Sequence, residues 1–179
     1  MTSFAEQTSP SIQRDKLLFE LANIDLNAIR LDKDGLARWN PHRGHMALLD
    51  ALIWESDDHS LGVGVKHVRE DEFWVAGHFP GQPMMPGVLQ VECGAQLACY
   101  LFNVKKGEPT LAAFLRIEHA AFRSMVVPGD DLYILCRDIK RSRRRFVCDV
   151  QGVVRDRIAF EAQISGMAMG EGPQVIADA

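Results

Sequence analysis

The sequence predicts an α+β domain, one long buried helix with mostly antiparallel strands around it, and two stretches carry that prediction. From Val88 to Val104 there is no proline, and Leu, Ala, Cys, Tyr and Phe fall on every face. A helix apolar all round is enclosed by protein rather than laid on a surface. The final third alternates apolar and polar residues: Leu132, Ile134 and Cys136 share one face, Phe146, Cys148 and Val150 another, and Ile158, Phe160, Ala162 and Ile164 a third. Period-two runs separated by turns near Ser142 and Asp156 read as three antiparallel strands.

The other elements follow in order. Residues 1–11 are polar and rich in Ser, Thr, Gln and Pro, a disordered composition. Between Ser11 and Ile29, Leu17, Leu18, Leu21, Ile24 and Ala28 recur at helical spacing, which predicts an amphipathic helix or two short ones broken near Asn23 to Asp25. Asp34 to Arg43 reads as a short helix stopped before Pro41. Met46–Glu55 and Leu61–Val68, either side of Ser56-Asp57-Asp58-His59-Ser60, form a hairpin. Gly62 and Gly64 on one of its faces call for a close neighbour there, the central helix or an acyl chain. Lys105 to Pro109 stops the long helix, and Thr110 to Phe122 reads as a strand. The chain divides into an N-terminal tail with a helical extension (1–38), the folded domain (39–170) and a flexible C-terminal tail (171–179).

At 179 residues, 47% hydrophobic and 25% charged, the chain suits one soluble domain with a real core. No apolar run reaches the roughly 18 residues of a membrane span, and no signal-peptide pattern opens the chain, so a cytoplasmic protein is expected. Cys93, Cys99, Cys136 and Cys148 have no ligand-like spacing, and three or all of them sit in apolar patterns, which points to core packing in a reducing compartment. No motif for a metal or nucleotide is present. The run Lys140 to Arg145 lacks interleaved aromatics and the net charge is −4, which argues against nucleic acid.

The chemistry is concentrated before and inside the long helix. Five of the ten residues from His78 to Gly87 are Pro or Gly, so rigid turns surround the histidine. Pro86 stands where helices begin. Glu92 and Gln96 lie four apart on one helix face. A carboxyl group among apolar neighbours must be hydrogen-bonded or stay protonated, which makes Glu92 a candidate acid.

The segment Gly77 to Glu92 (GHFPGQPMMPGVLQVE), with the acid fourteen positions after the histidine, resembles the signature of the FabZ-type (3R)-hydroxyacyl-[acyl-carrier-protein] dehydratases. The related FabA type carries Asp at the acid position, so Glu92 favours the FabZ branch and disfavours isomerase activity. Asn40-Pro41-His42-Arg43 with Leu48-Leu49-Asp50, and Phe122 to Leu132 (FRSMVVPGDDL), are similar to two further family segments. Where the family has Tyr-Pro-Phe after its first segment, this chain has Gly44-His45-Met46, which changes the surroundings of the acyl tunnel and makes His45 an alternative histidine to follow.

The resemblance implies a single hotdog fold, an antiparallel sheet wrapped round the central helix. It also implies a homodimer with a continuous sheet, often a trimer of dimers, each site taking His78 from one chain and Glu92 from the other. His78 would be the base, Glu92 the acid and the Gly87 N–H the oxyanion donor. Pro86 and Gly77 would shape the backbone, and Gln96 would orient Glu92. The substrate would ride on acyl carrier protein and no cofactor would be needed. Lys140 to Arg145, with Arg116 and Arg123, are candidate docking positions for the acidic carrier. The competing readings are a hotdog thioesterase or enoyl-CoA hydratase, and a non-catalytic acyl-binding hotdog protein.

Overall fold

The computed structural model describes residues 17–171. Strand β1 (Leu31–Asp32) leads into helix α1 (Lys33–Ala37), which Asp32 caps by accepting the Gly35 N–H at 2.8 Å. A single 3-10 turn at Gly44–Met46 precedes the hairpin of β2 (Ala51–Glu55) and β3 (Leu61–His67). The long helix α2 (Gly87–Lys106) follows, then β4 (Thr110–Phe122), β5 (Asp131–Arg141), β6 (Arg145–Val154) and β7 (Arg157–Glu171).

All seven strands form one antiparallel sheet in the order β1-β2-β3-β5-β6-β7-β4. Register shifts in the β2–β3, β4–β7, β5–β6 and β6–β7 pairings accompany its curvature round α2. Val91, Cys93, Leu97, Leu101 and Phe102 of the helix are buried in one cluster with Ile134, Cys148, Val150 and Phe160 of the sheet. The approach is close enough to require glycine. A Cβ on Gly62 would stand 3.1 Å from Leu101, and one on Gly94 would stand 2.9 Å from Val150. Of the two hairpin glycines, Gly62 meets the central helix and Gly64 meets Leu49 and the Ala51 carbonyl. Gly107, at φ 82°, ends α2 by returning its N–H to Asn103 and Val104 carbonyls. All four cysteines are buried and free, and burial pushes the Cys99 thiol up to about 12.

The helical extension is a correction. Residues 17–30 form turns and extended chain, and Lys33–Ala37 is the one α-helix between residues 17 and 38. Residues 1–16 and 172–179, with the expected tails and the start of that helix, lie outside the described residues. Asp25 accepts the Asn27 N–H, and successive three-residue turns close at Ile24 and Ala28. Such side-chain turns compete with helix. The apolar residues are spent differently: Phe19, Leu21, Ile24 and Leu26 lie as a strap on a second cluster, Ala51, Ile53, Val63 and Val65, together with Trp54 and Tyr133. The strap is held by Arg137 to the Leu18 carbonyl, by the Leu18 N–H to Gln151, and by Arg30 to Glu55.

Candidate active site

The loop carrying His78 is anchored before the glycines and prolines begin. Buried Lys66 on β3 pairs with Glu72 and lies 3.5 Å from Asp50, and Arg69 reaches both carboxylates. Burial alone would raise the Asp50 carboxyl, but Lys66, Arg69 and the His67 N–H together hold it below the usual carboxylate range. From Glu72 the chain turns over buried Trp74, whose carbonyl accepts the N–H groups of Gly77 (3.1 Å) and His78 (2.8 Å).

His78 is held by both its backbone and its ring. Its carbonyl accepts the Met84 N–H at 2.8 Å, and its Nδ1 lies 2.7 Å from the Met84 carbonyl. A carbonyl only accepts, so the proton of the neutral ring sits on Nδ1 and Nε2 carries the free lone pair. The ring stacks on Phe79 with centroids 4.1 Å apart, and the His78–Phe79 peptide is cis. Gly81, at φ 74°, makes the turn that returns the chain.

His78 lines a cleft of about 480 Å³ together with Pro86, Gly87, Gln90 and the segment Phe122–Met125. Pro86 is the N-cap of α2 and Gly87 its first residue. The Gly87 N–H makes no backbone hydrogen bond among the described residues, so an open donor and the positive end of a 20-residue helix face the cleft that holds the imidazole. Phe122 lies over Gly87 so closely that a Cβ there would be 2.6 Å from its ring.

Glu92 stands elsewhere. Its Oε1 accepts from Gln96 Nε2 at 3.0 Å and lies 3.4 Å from His42 Nε2. Gln96 is fixed from the far side: its Oε1 accepts the Leu48 N–H (3.0 Å) and its Nε2 donates to the Met46 carbonyl (2.8 Å). Its orientation is therefore determined, and what it presents to Glu92 is an N–H. His42 belongs to a loop docked on the helix by Asn40, whose amide donates to the Gln96 carbonyl at 2.9 Å. Arg43 gathers the carbonyls of Ala37, Asn40 and His42. Burial lowers the His42 pKa; the Glu92 carboxylate acts against that and Arg43 with it.

The candidate residues thus fall into two groups. His78, Pro86 and Gly87 share one cleft; Glu92 and Gln96 share another cluster, and among the described residues no hydrogen bond or ion pair joins His78 to Glu92. Gln90, at the cleft, and Glu92 are about 200° apart around the helix, so they leave it on nearly opposite sides. Gly77 has nothing within 4 Å of the place a Cβ would occupy and no positive φ, so the chain alone does not demand glycine there. His45 is exposed, its ring 6.0 Å from Phe73.

Three contributors were not singled out from the sequence. His42 and, apart from the docking candidate Arg123, the segment Phe122–Met125 stood only as parts of motifs. Gln90 is buried, donates to the Met85 carbonyl at 3.2 Å and keeps an unpartnered Oε1. The basic turn from Lys140 to Arg145 is tied to the far end of the helix, since Arg141 donates to the Leu101 and Phe102 carbonyls. The helix is about 30 Å long, which separates that turn from the His78 cleft. Arg123 does line the cleft, paired with Glu161, and Arg116 sits beside Glu118 on β4. Among the described residues no group of three or more His, Cys, Asp or Glu could hold a metal ion, and no helix is long and apolar enough to cross a membrane.

An antiparallel sheet wrapped round one buried helix is the hotdog fold, and solved structures agree on it. The dehydratase heterocomplex ApeI:P from Xenorhabdus doucetiae superposes with a TM-score of 0.64 at 16% identity, covering 74% of this chain and 90% of that one. AziG from S. sahachiroi gives 0.56 at 16% identity, covering 74% and 99%. By sequence, residues 40–163 match the FabA-like domain, and the chain belongs to that family. It is 37% identical over 145 residues to the 3-hydroxyacyl-[acyl-carrier-protein] dehydratase FabZ of Bartonella henselae, covering 78% of this chain and 90% of the relative. It is 39% identical to the FabZ of Agrobacterium fabrum, covering 74% and 86%.

Proposed function

We propose that this protein is a (3R)-hydroxyacyl-[acyl-carrier-protein] dehydratase that forms trans-2-enoyl thioesters in fatty acid biosynthesis or a related lipid pathway. The observation that carries the reading is the His78 ring, its Nδ1 pinned to the Met84 carbonyl and its other nitrogen left as a base beside the open start of α2. Nε2 takes the α-proton of the thioester. The electron pair of that C–H bond forms the double bond while the C3–O bond breaks. Glu92 delivers its proton to the departing hydroxyl, which leaves as water. The Gly87 N–H binds the negative charge growing on the thioester oxygen. The chain's own residues supply each of these steps, so the reaction needs no cofactor.

Because His78 and Glu92 do not meet within one chain, the working site takes each from a different copy. Strand β4 is one of the sheet's two outer strands, paired among the described residues only with β7, and it exposes Leu111, Phe114, Leu115 and Ile117. An apolar strand edge of this length is a template for pairing with a second copy. Pairing of two β4 edges would continue the sheet and bring the two central helices together, and further assembly into a trimer of dimers is compatible with it. The acyl carrier protein approaches from the Arg123 side of the cleft rather than the Arg143–Arg144 turn.

The test is conversion of 3-hydroxyacyl-ACP by the wild type, His78→Ala and Glu92→Gln, followed by mass spectrometry. Loss of one water by the wild type alone supports the assignment. Release of free thiol would favour a thioesterase. Three folded but inert proteins would make the fold a binding module.

A further inference from the structure

The carboxyl group of Glu92 is engaged on one oxygen only. Gln96 Nε2 (3.0 Å) and His42 Nε2 (3.4 Å) both address Oε1, while Oε2 has no partner among the described residues. We propose that His42 is a positioning residue, a neutral Nε2–H donor that with Gln96 occupies Oε1 of Glu92 and leaves the acid proton on Oε2, facing the substrate hydroxyl. The inference rests on the dehydratase reading for its chemistry and on the geometry for its residues.

The direction of each contact follows from its surroundings. Gln96 can offer Glu92 only an N–H, because Leu48 and Met46 fix its amide, so Oε1 is an acceptor and cannot carry the proton toward Gln96. His42 Nδ1 is buried without a partner. A hydrogen there would be an orphaned buried donor, the rarer and costlier arrangement, so the hydrogen of the neutral ring belongs on Nε2, toward Glu92. The 3.4 Å separation is long for a hydrogen bond, and catalytic contacts of this kind commonly tighten when substrate binds.

Neutrality is what makes this histidine suitable. A fixed cation 3.4 Å from the carboxylate would hold it ionised and spoil it as an acid. Desolvation lowers the His42 pKa, so near neutral pH the ring orients the carboxyl group without charging it. The charged groups around it do not change that. Arg43, on its own loop, is directed at three backbone carbonyls and lowers the His42 pKa further. Lys33, across a small cavity beside the ring, lies 3.6 Å from Asp50. Glu92 itself is the one group that pulls upward.

The experiment compares wild type, His42→Phe, His42→Gln and His42→Lys in the dehydratase assay across pH, with ¹⁵N NMR of the His42 ring. His42→Phe should lower kcat about 10- to 100-fold with little change in KM, the scale of a mispositioned reacting group. His42→Gln places an amide N–H near the Nε2 position and should recover activity to within about threefold of wild type. His42→Lys should move the basic limb of the profile to lower pH, which loss of packing would not do.

The NMR spectrum should show the neutral Nε2–H tautomer at pH 6.5 and neutrality to still lower pH in Glu92→Gln, where the upward pull is removed. Wild-type kcat in His42→Phe, or an Nδ1–H or charged ring at neutral pH, would overturn the inference. The NMR readout requires no turnover. An inactive wild type with the expected tautomer would therefore count against the dehydratase reading and leave the assigned geometry standing.

Discussion

If each site draws His78 from one copy and Glu92 from another, two dead variants should rescue each other. Consider His78→Ala mixed in equal amounts with Glu92→Gln under conditions that exchange subunits. A mixed dimer has two sites. One pairs the mutated His78 position with the mutated Glu92 position and is dead; the other pairs an intact His78 with an intact Glu92. Random pairing makes about half of the dimers mixed, each with one of its two sites working, so the mixture should reach about one quarter of wild-type activity. Assembly into trimers of dimers leaves that fraction unchanged. The structural basis is the separation within one chain: His78 shares its cleft with Gly87 and Gln90, while Glu92 leaves the helix toward His42 about 200° away from Gln90. The assay is enoyl-ACP formation before and after co-refolding, with each variant alone as the baseline. If His78 and Glu92 of the same chain worked together, every site in the mixture would contain a lesion. Activity that stayed at the variants' own level would refute the shared site.

Other perturbations test the assembly and the fold. Ile117→Lys, on the exposed β4 edge, should give a folded monomer by light scattering and circular dichroism, with dehydratase activity lost; an unchanged dimer would place the interface elsewhere. Gly94→Ala puts a methyl group 2.9 Å from Val150 in the packed core and should cost about 1–3 kcal/mol in urea unfolding, so an unchanged midpoint would contradict the close helix–sheet approach. Asp50 is held below its ordinary value on folding, so the stability it contributes is complete above about pH 4 and lost as pH falls through the lower folded value; Asp50→Asn should flatten that part of a stability–pH curve. The His42 pKa is also lowered, so its contribution is complete above about pH 6.5 and declines below it, a component that His42→Phe should abolish.

The strands were legible because a half-buried strand writes its geometry directly into an alternating pattern. Thr110–Phe122 has the same bounds in sequence and structure, and the turns at Ser142 and Asp156 fall between β5, β6 and β7. The central helix was legible for the opposite reason, having apolar residues on every face. The N-terminal segment misled because leucines at spacings of three and four suit a helix equally well as an irregular strap. What decides between them is Asp25 bonding to Asn27 and the apolar outer surface of Ala51, Ile53, Val63 and Val65, and that surface exists only once the sheet has formed.

The site shows the same limit at finer scale. The loop around His78 and the helix carrying Glu92 are contiguous in the chain, so the density of Pro and Gly, the helix start and the acid on an otherwise apolar helix could be read together, although Glu92 proves to be only half-buried. The groups that tune those two residues come from a distance. His42 lies fifty positions before Glu92, Gln96 is oriented by Met46 and Leu48, and the cleft over His78 is lined by Phe122–Met125 from the end of β4 and the turn after it. Local pattern determines which elements form, whereas the orientation of a carboxyl group depends on which donors reach which of its oxygens. That depends on loops docked across the fold, such as the one Asn40 pins to the carbonyl of Gln96. Gln96 and His42 both lie against one oxygen of the Glu92 carboxyl group, which leaves the other open to substrate. The pair His42 and Gln96 therefore bears on whether Glu92 works as an acid as directly as the helix that carries it.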